Sequence, residues 1–239
     1  MNQKTITPGI ETPPARIRPK WYRRPWIVPL AAICVFFVLM RLPDYLGLDP
    51  QDSFLDLQKS FPNTHYQVLA AHVLFGSIAL LTCCMQVWPW LRANHPAVHR
   101  ISGRVYVLAG VLPGGVLALV VSVIAIQEVP GIVGNSMLAL LWLATTFVGF
   151  RMVRQRRFVE HRRWMIRSFA LCTSIVVNRA WIWICVAILL PFQDSLYGGS
   201  FDALLKDAIV VSIWLSWVVN LLIAEWWLDR KPRRPAVRN

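Results

Sequence analysis

The chain has 239 residues, 56% of them apolar and 15% charged, with 12 tryptophans and a formal net charge of +13. That composition is too apolar for a water-soluble domain of this size, too ordered in its apolar runs for a disordered basic chain, and too poor in cysteine, at five, for a disulfide scaffold. The 25 Lys and Arg residues against 12 Asp and Glu suggest nucleic acid only until their positions are read; they cluster between long uncharged runs, and nucleic acid is not needed to explain them.

Crossing a hydrocarbon layer of roughly 30 Å takes about 20 mostly apolar residues. Residues 1–25 are proline-rich, carry six cations and little apolar content, and read as a basic, mostly disordered tail resting on the lipid surface. The first span, 26–42, is short: the uncharged run covers only residues 25–40, so Arg41 is expected to snorkel outward. No small-residue cleavage site follows it, which argues against a signal peptide. The connection 43–65 contains a short stretch, 53–60, with interfacial amphipathic spacing, placed to cover an outward-facing pocket.

The remaining spans are expected at 66–90, 105–127, 135–150, 164–190 and 204–228, followed by a basic tail, 229–239. In the third, Gly110 and Gly114 form a small-residue pair suited to close helix approach, and Pro113 should bend the rod. The short connection after it makes the third and fourth spans antiparallel neighbours. The fifth is interrupted by Arg179. Under this assignment 21 cations fall on one side of the membrane, while Arg41, Lys59 and Lys206 face eight acids on the other. The expectation is an all-α, integral-membrane six-helix bundle with N and C termini cytoplasmic, in a cytoplasmic membrane whose anionic head groups attract the basic face. Cys34, Cys83, Cys84, Cys172 and Cys185 all fall within spans and read as packing residues, with Cys83 and Cys84 on different helix faces and no structural disulfide expected.

Polar groups inside spans are costly and mark sites. His65, His72 and Gln86 share one stripe of the second span, His72 lying within about 20° of His65 and about 40° of Gln86. Ser168 and Arg179, like Arg167 and Asn178, are eleven apart and nearly eclipsed on the fifth; Ser212, Ser216 and Asn220 recur every four residues on the sixth; Thr145 and Thr146 centre the fourth. At about 1.5 Å per residue, His72 and Arg179 lie at similar depth. His72, Asn178, Arg179 and Asn220 are therefore the candidate ligand-binding set, an intramembrane pocket for a lipid or quinone. Arginine suits an anionic or carbonyl group there and His72 a proton-linked step. Near the head groups His95, His99 and His161 are candidate haem or metal ligands, although Pro96 places His95 at or before a helix start. His99 with His161 is the one bis-histidine pair the spacing allows for haem b, as the alternative electron-transfer function; His72 is some 25 Å away along its helix. A third alternative is an accessory subunit docking a membrane partner. Visible inverted repeats, which would favour a transporter, are absent.

His72 with Gly76, Gln86, then His99-Arg100-x-x-Gly103-Arg104-x-Tyr106, Trp142 with Thr145-Thr146, and His161-Arg162-x-Trp164-Met165-Ile166-Arg167-Ser168 form a set that resembles the bacterial polytopic membrane proteins of the domain of unknown function 2306 (DUF2306) family. The resemblance implies a multi-pass bacterial inner-membrane protein, gives no activity or cofactor, and marks these motif positions.

Overall fold

The computed structural model describes residues 24–47, 60–125 and 127–230, and these contain helices and turns but no strand. The expected basic lead before residue 24, the stretch 53–59 and the tail beyond residue 230 lie outside the described residues. In chain order the helices are α1 (Ile27–Arg41), α2 (Pro43–Leu46), α3 (Pro62–Gln86), α4 (Pro89–Asn94), α5 (Pro96–Val105), α6 (Leu112–Ile124), α7 (Val129–Arg154), α8 (Phe158–Cys172), α9 (Ser174–Leu189), α10 (Gln193–Tyr197) and α11 (Phe201–Asp229). A proline occupies one of the first two positions of α2 to α5 and of α7, where its missing N–H costs nothing and its fixed φ is already helical.

Among the described residues five helical stretches are long and apolar enough to cross a membrane: Pro62–Gln86, Pro96–Ile124, Val129–Arg154, Ser174–Tyr197 and Phe201–Asp229. The first expected span, 26–42, contains α1, a shorter apolar helix whose 15 residues extend only about 22 Å at 1.5 Å per residue. Helical structure runs past the apolar stretches. His99, Arg100, Gly103 and Arg104 lie not in a loop but on α5, and His95 caps it with Pro96 first in the helix.

α5 and α6 form one rod joined by a π-helical turn, Tyr106–Val111, in which Leu112 N–H bonds the Val107 carbonyl five residues back. Pro113 accounts for it: a proline at that position cannot donate to the preceding turn and crowds its carbonyls, and widening the turn relieves both. The expected fifth span, 164–190, is likewise broken, at Thr173, between α8 and α9. The α7–α8 connection is a Schellman turn, with Arg157 N–H bonded to the Met152 carbonyl at 2.9 Å and Arg156 N–H to Val153 at 3.0 Å. Its left-handed position, φ 60°, is filled by Arg156 rather than glycine, at a cost of roughly 1 kcal/mol.

α3 packs on α1 and on the α5–α6 rod, α7 on α6 and α8, and α11 on α8 and α9. Glycine permits the closest crossing: a Cβ on Gly110 would stand 2.9 Å from Ala79 Cα. Apolar residues fill the core and also cover the outside. Ser168, Ser174 and Ser212 are wholly buried while Phe36, Phe147 and Trp183 are 64–70% exposed, as suits a molecule whose solvent is lipid and whose helices associate through small and hydroxyl residues. Connectivity puts α4, the start of α5, the α7–α8 turn and the end of α11 at one arginine-rich end, called here the basic end; α2 and the starts of α3, α7 and α11 lie at the other.

Candidate functional site

The motif residues fall into three groups. The first is a buried ring of hydroxyls. Trp142 Nε1–H donates to Tyr106 Oη (3.2 Å), Tyr106 Oη lies 2.6 Å from Ser168 Oγ, Ser168 Oγ lies 2.6 Å from Thr146 Oγ1, and Thr146 donates to the Trp142 carbonyl (2.7 Å). All four side chains are under 9% exposed. With its partners supplied internally, this ring ties the π turn, α7 and α8 together and leaves no group free for a ligand.

The second group lies at the basic end. Gln86, closing α3, donates to the His99 carbonyl (3.1 Å) and Ser102 Oγ (2.6 Å). Gly103 makes room for it, since a Cβ there would meet Gln86 Oε1 at 3.1 Å. His99 and His161 come within electrostatic reach of one another, with Arg92 and Arg100 nearby. His161 Nδ1 is 2.8 Å from the Gly149 carbonyl oxygen, which only accepts; Nδ1 therefore carries the hydrogen and, in the neutral ring, Nε2 the lone pair. His99 Nδ1 is buried and has no hydrogen-bond partner among the described residues. Burial, and after it the nearby charges of Arg92 and Arg24, lowers the Arg162 pKa. Arg167 makes a two-pronged ion pair with Glu225 (2.5 and 2.7 Å) and stacks on Trp164, 4.8 Å from its ring centre. Arg100 and Arg104 are exposed. Among the described residues no three His, Cys, Asp or Glu side chains are arranged to hold a metal ion.

The third group comprises the candidate pocket residues, and they occupy four different helix seams. His72 Nδ1–H donates to the Gly114 carbonyl of α6 (2.9 Å). Gly76, one turn on, has nothing within 4 Å of where its Cβ would be. Asn178 donates to Ser212 Oγ of α11 (2.9 Å), and Asn220 to the Ala170 carbonyl of α8 (3.0 Å). Arg179 lies over the Phe37 ring of α1 at 5.8 Å. None of these contacts joins two of the four residues.

Around Arg179 the structure assembles groups that the spacing of polar residues within spans did not identify. Arg41, ending α1, and Tyr45, on α2, lie within its electrostatic reach. Burial raises the Tyr45 phenol above its ordinary pKa against the pull of Arg41 and Arg179, so Tyr45 is a neutral hydroxyl at physiological pH. Tyr45 stacks on Tyr66 (5.8 Å between centres), whose hydroxyl donates to the Asp44 carbonyl at 2.8 Å. From Tyr45 a cavity of about 320 Å³ runs between α2 and α3, walled by Leu42, Leu46, Ala70, Ala71 and Leu74 with Gln67 as a polar wall residue. The signal for this corner was Arg41-Leu-Pro-Asp-Tyr45 directly after a short apolar helix.

No curated protein and no solved structure matches the chain. The family model described as "Predicted membrane protein (DUF2306)" matches residues 69–228, more than half of the length and the part that contains the hydroxyl ring, the histidine pair, and Arg179. The chain is thus a membrane protein of the DUF2306 family.

Proposed function

We propose that this chain crosses a bacterial cytoplasmic membrane six times, with both termini in the cytoplasm, and binds an amphiphile with an anionic or carbonyl head, a lipid or quinone, at the end opposite its basic face. Placing α1 as the sixth span is supported by Arg41 at its tip, which can snorkel, and by α2 following at once. The basic end, with Arg24, Arg92 and Arg162 close together, would rest on anionic head groups.

The observation that carries the binding reading is Arg179: a guanidinium in the middle of an apolar helix whose contact is an aromatic ring, with a second cation and a neutral tyrosine hydroxyl beside it and an apolar cavity leading away from that tyrosine. A guanidinium in a poorly solvated region is costly, and a head-group anion or carbonyl accepting from Arg179 relieves this. His72, Asn178 and Asn220 each use a polar atom in an interhelical bond, so the head-group contact is assigned to Arg179. His72 Nε2 is the atom through which a proton-linked step would run.

The test is mass spectrometry of lipids and quinones that co-purify with the full chain. Arg179→Ala is expected to reduce retention of the bound amphiphile at least tenfold without altering elution as a folded particle. Loss of phospholipid alone would identify a lipid head group, and loss of quinone alone a quinone. Undiminished retention of both by folded Arg179→Ala would reject the site.

The orphaned His99 Nδ1 beside His161, whose ring is fixed by Gly149, favours a second reading: haem b held by these two histidines. It predicts a Soret band in the purified chain that His161→Ala abolishes. A colourless preparation from haem-replete cells would dismiss it.

A further inference from the structure

The arginines of the basic end are not alike. Those on or flanking α8 and α11 find partners within the chain: Arg157 pairs with Glu160, Arg163 with Asp229 at 3.8 Å and Arg167 with Glu225, while Arg162 lies over the Trp227 ring at 5.2 Å and Arg230 over Trp226 at 3.5 Å. Glu160, Glu225 and Asp229, the described acids of that end, are all engaged in these pairs. Arg100 and Arg104 of α5 are exposed, and their guanidinium groups meet no acid or aromatic ring among the described residues. Four residues apart, they share one helix face about 6 Å from each other. α5 packs on α3 and α4, and its face toward α3 is closed by the Gln86 bonds to Ser102 and the His99 carbonyl. Beside the arginine pair runs an exposed apolar strip: Ile101 is 60% exposed, Leu108 57% and Val105 36%.

We propose that this face of α5 binds one anionic phospholipid, its phosphodiester held between Arg100 and Arg104 and an acyl chain laid along Ile101, Val105 and Leu108. Charge complementarity asks for an anion, and every described carboxylate of the basic end is already paired. The order of groups along the helix asks for an amphiphile oriented as a leaflet lipid is. Helical side chains lean toward the helix N-terminus, here the head-group end of α5, so both guanidinium groups reach toward the phosphates while the apolar strip continues into the span. Trp88 and Trp90 pack together at 5.2 Å between ring centres, and Trp90 meets His95 at 5.0 Å, at the start of α5; amphipathic rings of this kind collect at the membrane surface. The guanidinium fork offers a phosphodiester directed, charge-assisted bonds, which distinguishes a site from the diffuse attraction of any basic surface for anionic head groups. The site stands apart from the Arg179 reading, because it uses none of those residues.

The experiment titrates the delipidated full chain in detergent with dioleoylphosphatidylglycerol and, in parallel, with dioleoylphosphatidylcholine, which has the same chains and no net charge; native mass spectrometry counts the bound lipid. The first phosphatidylglycerol is expected to bind about tenfold or more tighter than phosphatidylcholine. Arg100→Gln with Arg104→Gln should weaken that first site about thirtyfold, from about fivefold per arginine beside an anionic head group. Either single variant, with its expected loss of about fivefold, serves if the double variant does not elute as a folded particle. Arg154→Gln with Arg156→Gln removes the same charge from the α7–α8 turn, where both arginines are exposed, and is expected to change the affinity by less than about twofold, since distant exposed charges are screened. Equal losses in the two double variants would reduce the effect to diffuse attraction and overturn the site, as would equal affinity for the two lipids. Displacement of the lipid by inorganic phosphate at the same concentration would overturn the phospholipid as its occupant.

Discussion

Replacing Gly110 by valine is expected to lower the stability of the bundle by about 3 kcal/mol or more, near the upper end of what overpacking costs. A Cβ at Gly110 would sit 2.9 Å from both Ala79 Cα and Cβ and 3.0 Å from Ala79 N. Two of those three atoms are α3 backbone, so no rotamer change relieves the clash; α3 and the α5–α6 rod must separate, and valine adds two further methyl groups to the same gap. Separation would also loosen the neighbouring core, where Ala79 and Leu80 pack with Val107 and Val111. For a chain of this size such a loss moves the unfolding midpoint by roughly 10 °C. The measurement is the fraction of full chain still eluting as a folded particle after heating in detergent. Gly76→Ala is the control on α3, three residues before Ala79: its Cβ would have nothing within 4 Å, so its midpoint should stay within about 2 °C of the parent, given a helix-propensity effect under 1 kcal/mol. Equal losses at the two positions would contradict the assigned crossing.

That pair also shows what the amino-acid sequence makes legible. Gly110 and Gly114 are recognisable as a close-packing pair because small residues four apart lie on one helix face, and Pro113 announces a disturbed turn. Which helix they meet is a tertiary fact with no local signature. The same boundary runs through the candidate pocket. Rise per residue gives the depth of His72 and Arg179, but not the direction each faces. Asn178 and Arg179 are neighbours 100° apart on α9, and they face different helices, Ser212 of α11 and Phe37 of α1. Cys83 and Cys84 illustrate the opposite case. Their Cα atoms do point to different faces, yet helical side chains lean back toward the preceding turn, which brings both sulfurs to the Leu80 carbonyl. Residues 96–104 fall outside the expected third span, 105–127, because hydropathy marks only the part of a helix that lies in hydrocarbon; Pro96, which already marks a helix start, is the sign that the rod begins there. The basic clusters and the order of the two Arg-His motifs, in contrast, were legible throughout, since charge distribution and motif spacing are properties of the chain itself.

Tyr106→Phe is expected to cost about 2 kcal/mol, although it removes one oxygen from a residue only 1% exposed. The direction of the hydroxyl ring follows from its ends. Thr146 commits its hydrogen to the Trp142 carbonyl, which can only accept, so Thr146 Oγ1 accepts from Ser168, and Ser168 Oγ in turn accepts from Tyr106. Tyr106 Oη is left to accept from the Trp142 indole N–H, and the circuit closes on the residue where it began. Phenylalanine therefore breaks two bonds at once, and it leaves the Trp142 N–H, on a side chain 8% exposed, without an acceptor. An interhelical hydrogen bond in a membrane protein contributes only about 0.6 kcal/mol on average. An orphaned buried donor adds a desolvation penalty of roughly 1–3 kcal/mol, and this is what sets the size of the effect. The two contributions separate in a double-mutant cycle. Trp142→Phe removes the orphan together with its bond, so Tyr106→Phe made in that background should cost about 1 kcal/mol less than in the parent. Strict additivity of the two substitutions, read from the same heating assay, would mean that Tyr106 and Trp142 act independently and that the ring is not a unit.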